Sequence, residues 1–171
     1  MASGKSTDAS AAIERSYLET GLSYPSACAA FEAALGRFDR AAAEALTARA
    51  APWPEVETAM ARMAGPSGLM IFDLFDQGAI ASLAGVPVRC RLYLVGNPAI
   101  AAHIVKIDPR AALYVPFRVA IHEAGGPAGA VISFDRPSSF LGVLGNAELR
   151  PIGLMLDQKI DAVMQAMRRR A

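Results

Sequence analysis

The stretch that most constrains this sequence runs from Leu113 to Asp135, where two alternating segments meet at Gly125-Gly126-Pro127. In the first, Leu113, Val115, Phe117, Val119 and Ile121 point one way. Tyr114, Pro116, Arg118, Ala120 and His122 point the other, the period of a half-buried strand. In the second, from Ala128 to Asp135, the apolar side is Ala130, Ile132 and Phe134, with Ser133 and Asp135 opposite. A short glycine-rich connection between two such runs is a hairpin, so the chain must build antiparallel sheet. Pro116 removes a ladder donor, which predicts an edge or a bulge there. The apolar face of the hairpin needs a cover.

Helical patterns supply that cover. After Ser23-Tyr24-Pro25, Ala27, Phe31, Ala34, Leu35 and Phe38 recur at helical spacing, with Gly36 weakening the end. A second helix is expected over 54–64, with Val56, Ala59, Met60 and Met63 inward, and the turn Gly65-Pro66-Ser67-Gly68 after it. Asn97-Pro98 opens a third, because asparagine caps and proline lacks only an N–H that would be unpaired anyway. It carries Ile100, Ile104, Val105 and Ile107 and stops at Asp108-Pro109. Arg136-Pro137-Ser138 opens a short helix to about 144. The last helix shows a stripe of Leu149, Ile152, Leu156, Ile160, Val163 and Met167, with Pro151 expected to split off its first turn. Further strands are predicted over 13–22, 69–75 and 88–95. In the last of these Cys90, Leu92 and Leu94 form one face and Arg91, Tyr93 and Val95 the other. Asp76 is a fitting cap for a short helix from 77 to 83 that Gly85 ends. The alanine-rich stretch 39–53 fits no one pattern. The expected fold is α+β: a compact antiparallel-rich sheet with helices packed on one face. Residues 1–12 are expected to be a disordered leader, and 13–171 a single domain.

Composition narrows the function classes. Seventeen basic residues face sixteen acidic ones in 171, so no strong field draws nucleic acid or an anionic membrane. Arg168-Arg169-Arg170 reads as favourable charge at a helix C-terminus. No run of about eighteen apolar residues occurs, so no membrane span is expected. The small, polar beginning is no secretory signal, and the cytoplasm is the expected compartment. Cys28 and Cys90 have no metal-type spacing and form no disulfide framework.

Catalytic groups are scarce. Gly4-Lys5-Ser6-Thr7 resembles the end of a phosphate-binding loop but lacks room for the glycine and strand before it. The histidines are His103 and His122, neither placed with a carboxylate or cysteine at metal spacing, and no serine sits in a nucleophile elbow. No metal or cofactor is expected. The best binding candidate is composite. Arg91, Tyr93, Tyr114, Arg118, His122, Ser133 and Asp135 would fall on polar strand faces, and the helix start at Asn97 offers free N–H groups to an anion. A solvated face, a pairing surface for a second subunit and a ligand site are all open readings of it. Asp76 reads as a cap before it reads as a general base. A non-catalytic dimeric binding or regulatory domain, for a small anionic ligand or a protein partner, leads. The alternative is an enzyme that holds an anionic substrate with Asn97 and Arg118, Asp76 or His122 moving a proton.

Several segments are familiar in order and spacing: Phe31 to Asp39, Phe72 to Asp76 with Gly78 and Gly85, Tyr93 to Pro98, Arg110 to Pro116, Asp135 to Ser139, and Leu144 to Asn146. Together they resemble the bacterial and archaeal family catalogued as domain of unknown function 302. The resemblance implies a compact α+β fold and a homodimer, with no established activity. Many members look like Asp-His-Gly where this chain has Asp76-Gln77-Gly78. Many also carry His-Asp where it has Ile107-Asp108, and tyrosine in place of His122. Any work done by those histidines is lost here, and the stretch from about 40 to 54 looks inserted.

Overall fold

The computed structural model describes residues 10–169. The expected leader up to position 9, the Gly4-Lys5-Ser6-Thr7 segment and Arg170 lie outside them. Among the described residues six strands form one sheet: β1 Arg15–Glu19, β2 Gly36–Arg37, β3 Met70–Phe75, β4 Cys90–Gly96, β5 Phe117–Gly125 and β6 Gly129–Asp135. Their order across the sheet is β1-β6-β5-β4-β3-β2, antiparallel everywhere except β2 beside β3. Seven α-helices among the described residues accompany it: α1 Tyr24–Ala33, α2 Arg40–Ala48, α3 Trp53–Met63, α4 Gln77–Ser82, α5 Pro98–Ile107, α6 Pro137–Gly142 and α7 Leu149–Arg168.

The fold is α+β, with the hairpin at its centre as the alternation requires. Ile121 pairs with Ile132 and Val119 with Phe134, so the apolar sides of β5 and β6 merge into one buried face. Helices α1 and α7 cover it. Ala27, Cys28 and Phe31 of α1 and Leu156, Ile160 and Val163 of α7 enter the same core. The α7 stripe is the one the spacing predicts. Burying a side chain of this size contributes about 1.5–3 kcal/mol, so this layer supplies most of the driving force. The opposite face carries Phe75 of β3, Leu92 of β4, Ala120 of β5, Ser133 of β6 and Tyr17 of β1. It stays open to solvent, with Tyr17 67% and Phe75 47% exposed.

The caps at Asp76 and Asn97 are where the sequence puts them. Ser23 accepts from the Ser26 N–H, Asp76 from Ala79 and Asn97 from Ala99. The ambiguous stretch folds as α2, which Asp39 caps by accepting from Ala42 at 3.0 Å. Three expectations are corrected. The strand expected from Leu113 begins at Phe117: residues Pro109–Leu113 form a 3-10 turn that Asp108 caps, and the Val115–Pro116 peptide is cis. Pro151 does not split the last helix, because it lies in the first turn, where no N–H is owed to a preceding carbonyl. The short strand β2 has no alternation to reveal it. It exists because Gly36 and Gly65 let two backbones touch; a Cβ on Gly36 would sit 1.9 Å from the Met63 carbonyl oxygen.

Candidate functional site

The pairing of β4 with β5 decides which candidates share a face. Leu94 lies opposite Arg118, Leu92 opposite Ala120 and Cys90 opposite His122, while Tyr93 lies opposite Val119. Arg118, His122, Ser133 and Asp135 therefore share the open face. Arg91 and Tyr93 turn to the helix-covered side. This corrects the single composite face expected from the sequence. Alternation gives two sides to a strand but not the direction each side points, and in β4 the apolar set faces outward.

The open side holds a cleft of about 460 Å³ between the sheet and the 109–116 segment. Leu94, Leu113, Tyr114, Pro116, Arg118 and Asp135 line it, with Ile13 at its rim. Tyr114 is not on a strand but reaches the cleft from the turn, stacked on Phe140 with centroids 5.5 Å apart. Asp135 is neutralised by Arg15, whose Nε donates at 2.7 Å and whose Nη2 donates at 3.3 Å; the pair raises the Arg15 pKa. Arg118 is exposed and makes no ion pair among the described residues. The cleft thus carries an apolar and aromatic wall and one uncompensated cation.

Other sequence candidates stand apart. Asn97 uses both ends of its amide within the chain, accepting from Ala99 at 2.9 Å and donating to the Gly68 carbonyl at 2.9 Å. It lines a separate crevice with Pro116 and Leu156. His122 lies across from Cys90, farther along β5, and does not line the Arg118 cleft. Ser133 pairs between Tyr17 and Ala120 on the open face.

Tyr93 belongs to a second polar cluster under α1. Its hydroxyl donates to Glu32 Oε1 at 3.0 Å, and Arg91 Nη1 reaches the same oxygen at 3.4 Å. Arg37 donates to the other oxygen at 2.7 Å, and Arg91 Nε donates to Asp76 Oδ2 at 3.2 Å. Asp76 therefore caps α4 with one oxygen and ties it to β4 with the other. Burial first, then the Cys28 thiol beside it, pushes the Tyr93 phenol well above its usual range. Tyr24 is raised likewise by burial, and its hydroxyl has no hydrogen-bond partner among the described residues. The Tyr93 hydroxyl beside it, ahead of the Asp76 carboxylate, raises the Arg91 pKa. Sequence reasoning missed Tyr24 and Glu32. The available signal was their spacing of four with Cys28, which puts all three on one line of α1 inside its apolar face.

A third surface is apolar. Ile80 and Leu83 are 72% and 84% exposed, and Ile80 borders an open cleft with Phe75, Leu74, Asp76 and Leu92. No helix among the described residues is long and apolar enough to cross a membrane. No group of three or more His, Cys, Asp or Glu among them could hold a metal ion.

A six-stranded, mostly antiparallel sheet with helices over one face defines an α+β domain. The sequence model described as domain of unknown function DUF302 matches residues 45–167, well over half of the chain, and the chain belongs to that family. The crystal structure of an uncharacterized conserved DUF302 protein from Bacillus stearothermophilus superposes with a TM-score of 0.63. That likeness covers 90% of this chain and 98% of the other at 13% identity, and shows a shared fold. No curated protein matches the sequence.

Proposed function

We propose that the chain is a non-catalytic, homodimeric binding domain of the cytoplasm, and that it holds a small anionic ligand with an apolar body. The observation that carries the ligand is Arg118: an unpaired guanidinium on the wall of a cleft built from Leu94, Leu113, Tyr114 and Pro116. A carboxylate would pair with Arg118 in a charge-assisted hydrogen bond while its apolar part covers the aromatic wall. The neighbouring Asp135 does not oppose this, because Arg15 already neutralises it. The enzyme reading, with Asn97 and Arg118 on one substrate, has less support: the Asn97 amide is occupied and lines a different crevice. The two free cysteines suit a reducing compartment.

Native mass spectrometry of the protein from its own host, followed by a panel of acyl acids and phosphates, tests the ligand. Retained acid mass that Arg118→Ala removes supports it; no retention across the panel refutes it.

A separate observation favours the homodimer. Phe75, Ile80 and Leu83 expose an apolar patch whose flanking charges, Asp76 with Arg91 and Arg89 with Glu123, are already paired within the chain. A second copy can cover such a patch without stranding a charge. Light scattering should then give twice the chain mass, falling to one chain mass in Ile80→Glu. A monomeric parent removes this part of the reading.

A further inference from the structure

Cys90 and His122 face each other across β4 and β5 on the open side of the sheet. The next pair out, Arg89 and Glu123, is hydrogen bonded, with the Glu123 N–H donating to the Arg89 carbonyl at 3.0 Å. Antiparallel ladders alternate, so Cys90 and His122 occupy a non-hydrogen-bonded pair, where the Cα atoms approach to about 4.5 Å and side chains are closest. Both are half-buried, and neither side chain makes a hydrogen bond or ion pair among the described residues. In the adjoining pair, Arg89 donates to Glu123 at 3.3 Å, and Glu19 stands on β1 beyond Val131. Apolar neighbours flank the pair: Leu92 two residues along β4, and Val131 opposite His122 on β6.

We infer that Cys90 and His122 form a two-donor site for a soft monovalent metal ion of the copper(I) class. A thiolate and an imidazole are the donors such an ion selects. On binding, the Cys90 thiol releases its proton to solvent, sulfur and a neutral imidazole nitrogen donate to the ion, and no electron moves. The thiolate cancels the single positive charge, so the product is neutral and suits the apolar surroundings. Structural zinc calls for four donors, and the described residues add no third to this pair. A monovalent ion held linearly between two donors needs none. The Arg118 cleft plays no part in this site.

Silver(I), a redox-stable probe of the same class, tests it. Full-length protein is titrated in thiol-free buffer and read by native mass spectrometry, with copper(I) next. One ion per chain is expected, lost in Cys90→Ser and unchanged in Cys28→Ser. His122→Ala should weaken binding by about tenfold or more, at least the loss seen when an outer partner of a metal ligand is removed. Retention by Cys90→Ser, or parental affinity in His122→Ala, overturns the site. Should Cys90→Ser not fold, the parent decides: silver must protect Cys90 from iodoacetamide and shift the His122 imidazole proton resonances. Unprotected labelling or unmoved resonances overturn it equally.

Discussion

Replacing Asp157 by alanine should destabilise the protein by about 2–3 kcal/mol, the range for losing hydrogen bonds to a buried charged group. Asp157 lies on α7, is 7% exposed, and accepts from the Ser138 N–H at 3.1 Å and from the Ser138 hydroxyl at 2.6 Å. Ser138 is in the first turn of α6, whose own cap position, Arg136, offers no side-chain acceptor. Asp157 therefore does from another helix what a capping residue normally does locally. The site cannot relax around the loss, because the backbones touch there; a Cβ on Gly153 would lie 2.7 Å from the Ser138 Cα. Two hydrogen bonds to a charge would sum to more than the stated figure. Relief from burying the carboxylate returns part of that, and Arg136 keeps its bidentate pair with Asp161 at 2.6 and 3.0 Å. Urea unfolding followed by far-UV circular dichroism measures the change, with the urea slope checked for constancy. The melting temperature should fall by about 5–10 °C. Asp161→Ala is the control: it removes a half-exposed ion pair and should cost at most about 1 kcal/mol. If Asp157→Ala lies within about 0.5 kcal/mol of the parent, or no further from it than the Asp161 control, a cross-helix cap is the wrong account.

Tyr93→Phe keeps the edge-to-face contact with Phe31 but removes the donor to Glu32, and urea titration should show a loss of about 1 kcal/mol. Gly36→Ala pushes a Cβ into the Met63 carbonyl and should cost about 3 kcal/mol or prevent folding, readable as lost soluble yield or a lowered melting point. Arg110 donates twice to the Asp108 side chain, which holds that carboxyl below its ordinary value of 3.8. A depressed folded value means that the pair's contribution is present above the unfolded value and lost as pH falls through the folded one. Acid titration of Asp108→Asn should therefore show a shallower loss of stability below pH 3.8 than the parent does.

Features set by one or two adjacent residues were legible in the sequence. Asn97-Pro98 and Asp76 cap the helices they were expected to cap, because a cap is a contact between neighbours in the chain. The hairpin was legible for the same reason. Its connection is short, and both strands carry enough large apolar residues to fix their inner side. Features that depend on distant backbone meeting distant backbone were not. Strand β2 rests on the approach of Gly36 to Gly65, and the turn at Pro109–Leu113 continues an apolar alternation without being strand. Leu113 fitted the inward pattern and is 81% exposed.

Strand β4 shows why the candidate site was only half readable. Cys90, Leu92 and Leu94 make the more apolar side, so hydrophobicity alone sends them inward and Arg91 and Tyr93 outward. The fold does the reverse, because Tyr93 gains more inside. Its ring is fully buried against Phe31, and Glu32, four residues after Cys28 on α1, satisfies its hydroxyl. Arg91 follows on the same side and is held by Glu32 and Asp76. A polar side chain can take the inner face when a distant element brings the partner it needs, and no window of sequence around β4 contains Glu32. The displaced apolar side then has no cover within the described chain. Leu92 and Leu94 meet solvent beside Phe75, and Cys90 meets His122 there instead of entering the core. The inversion of this one strand therefore closes the α1 cluster and opens the sheet face on which the ligand, dimer and metal proposals all depend.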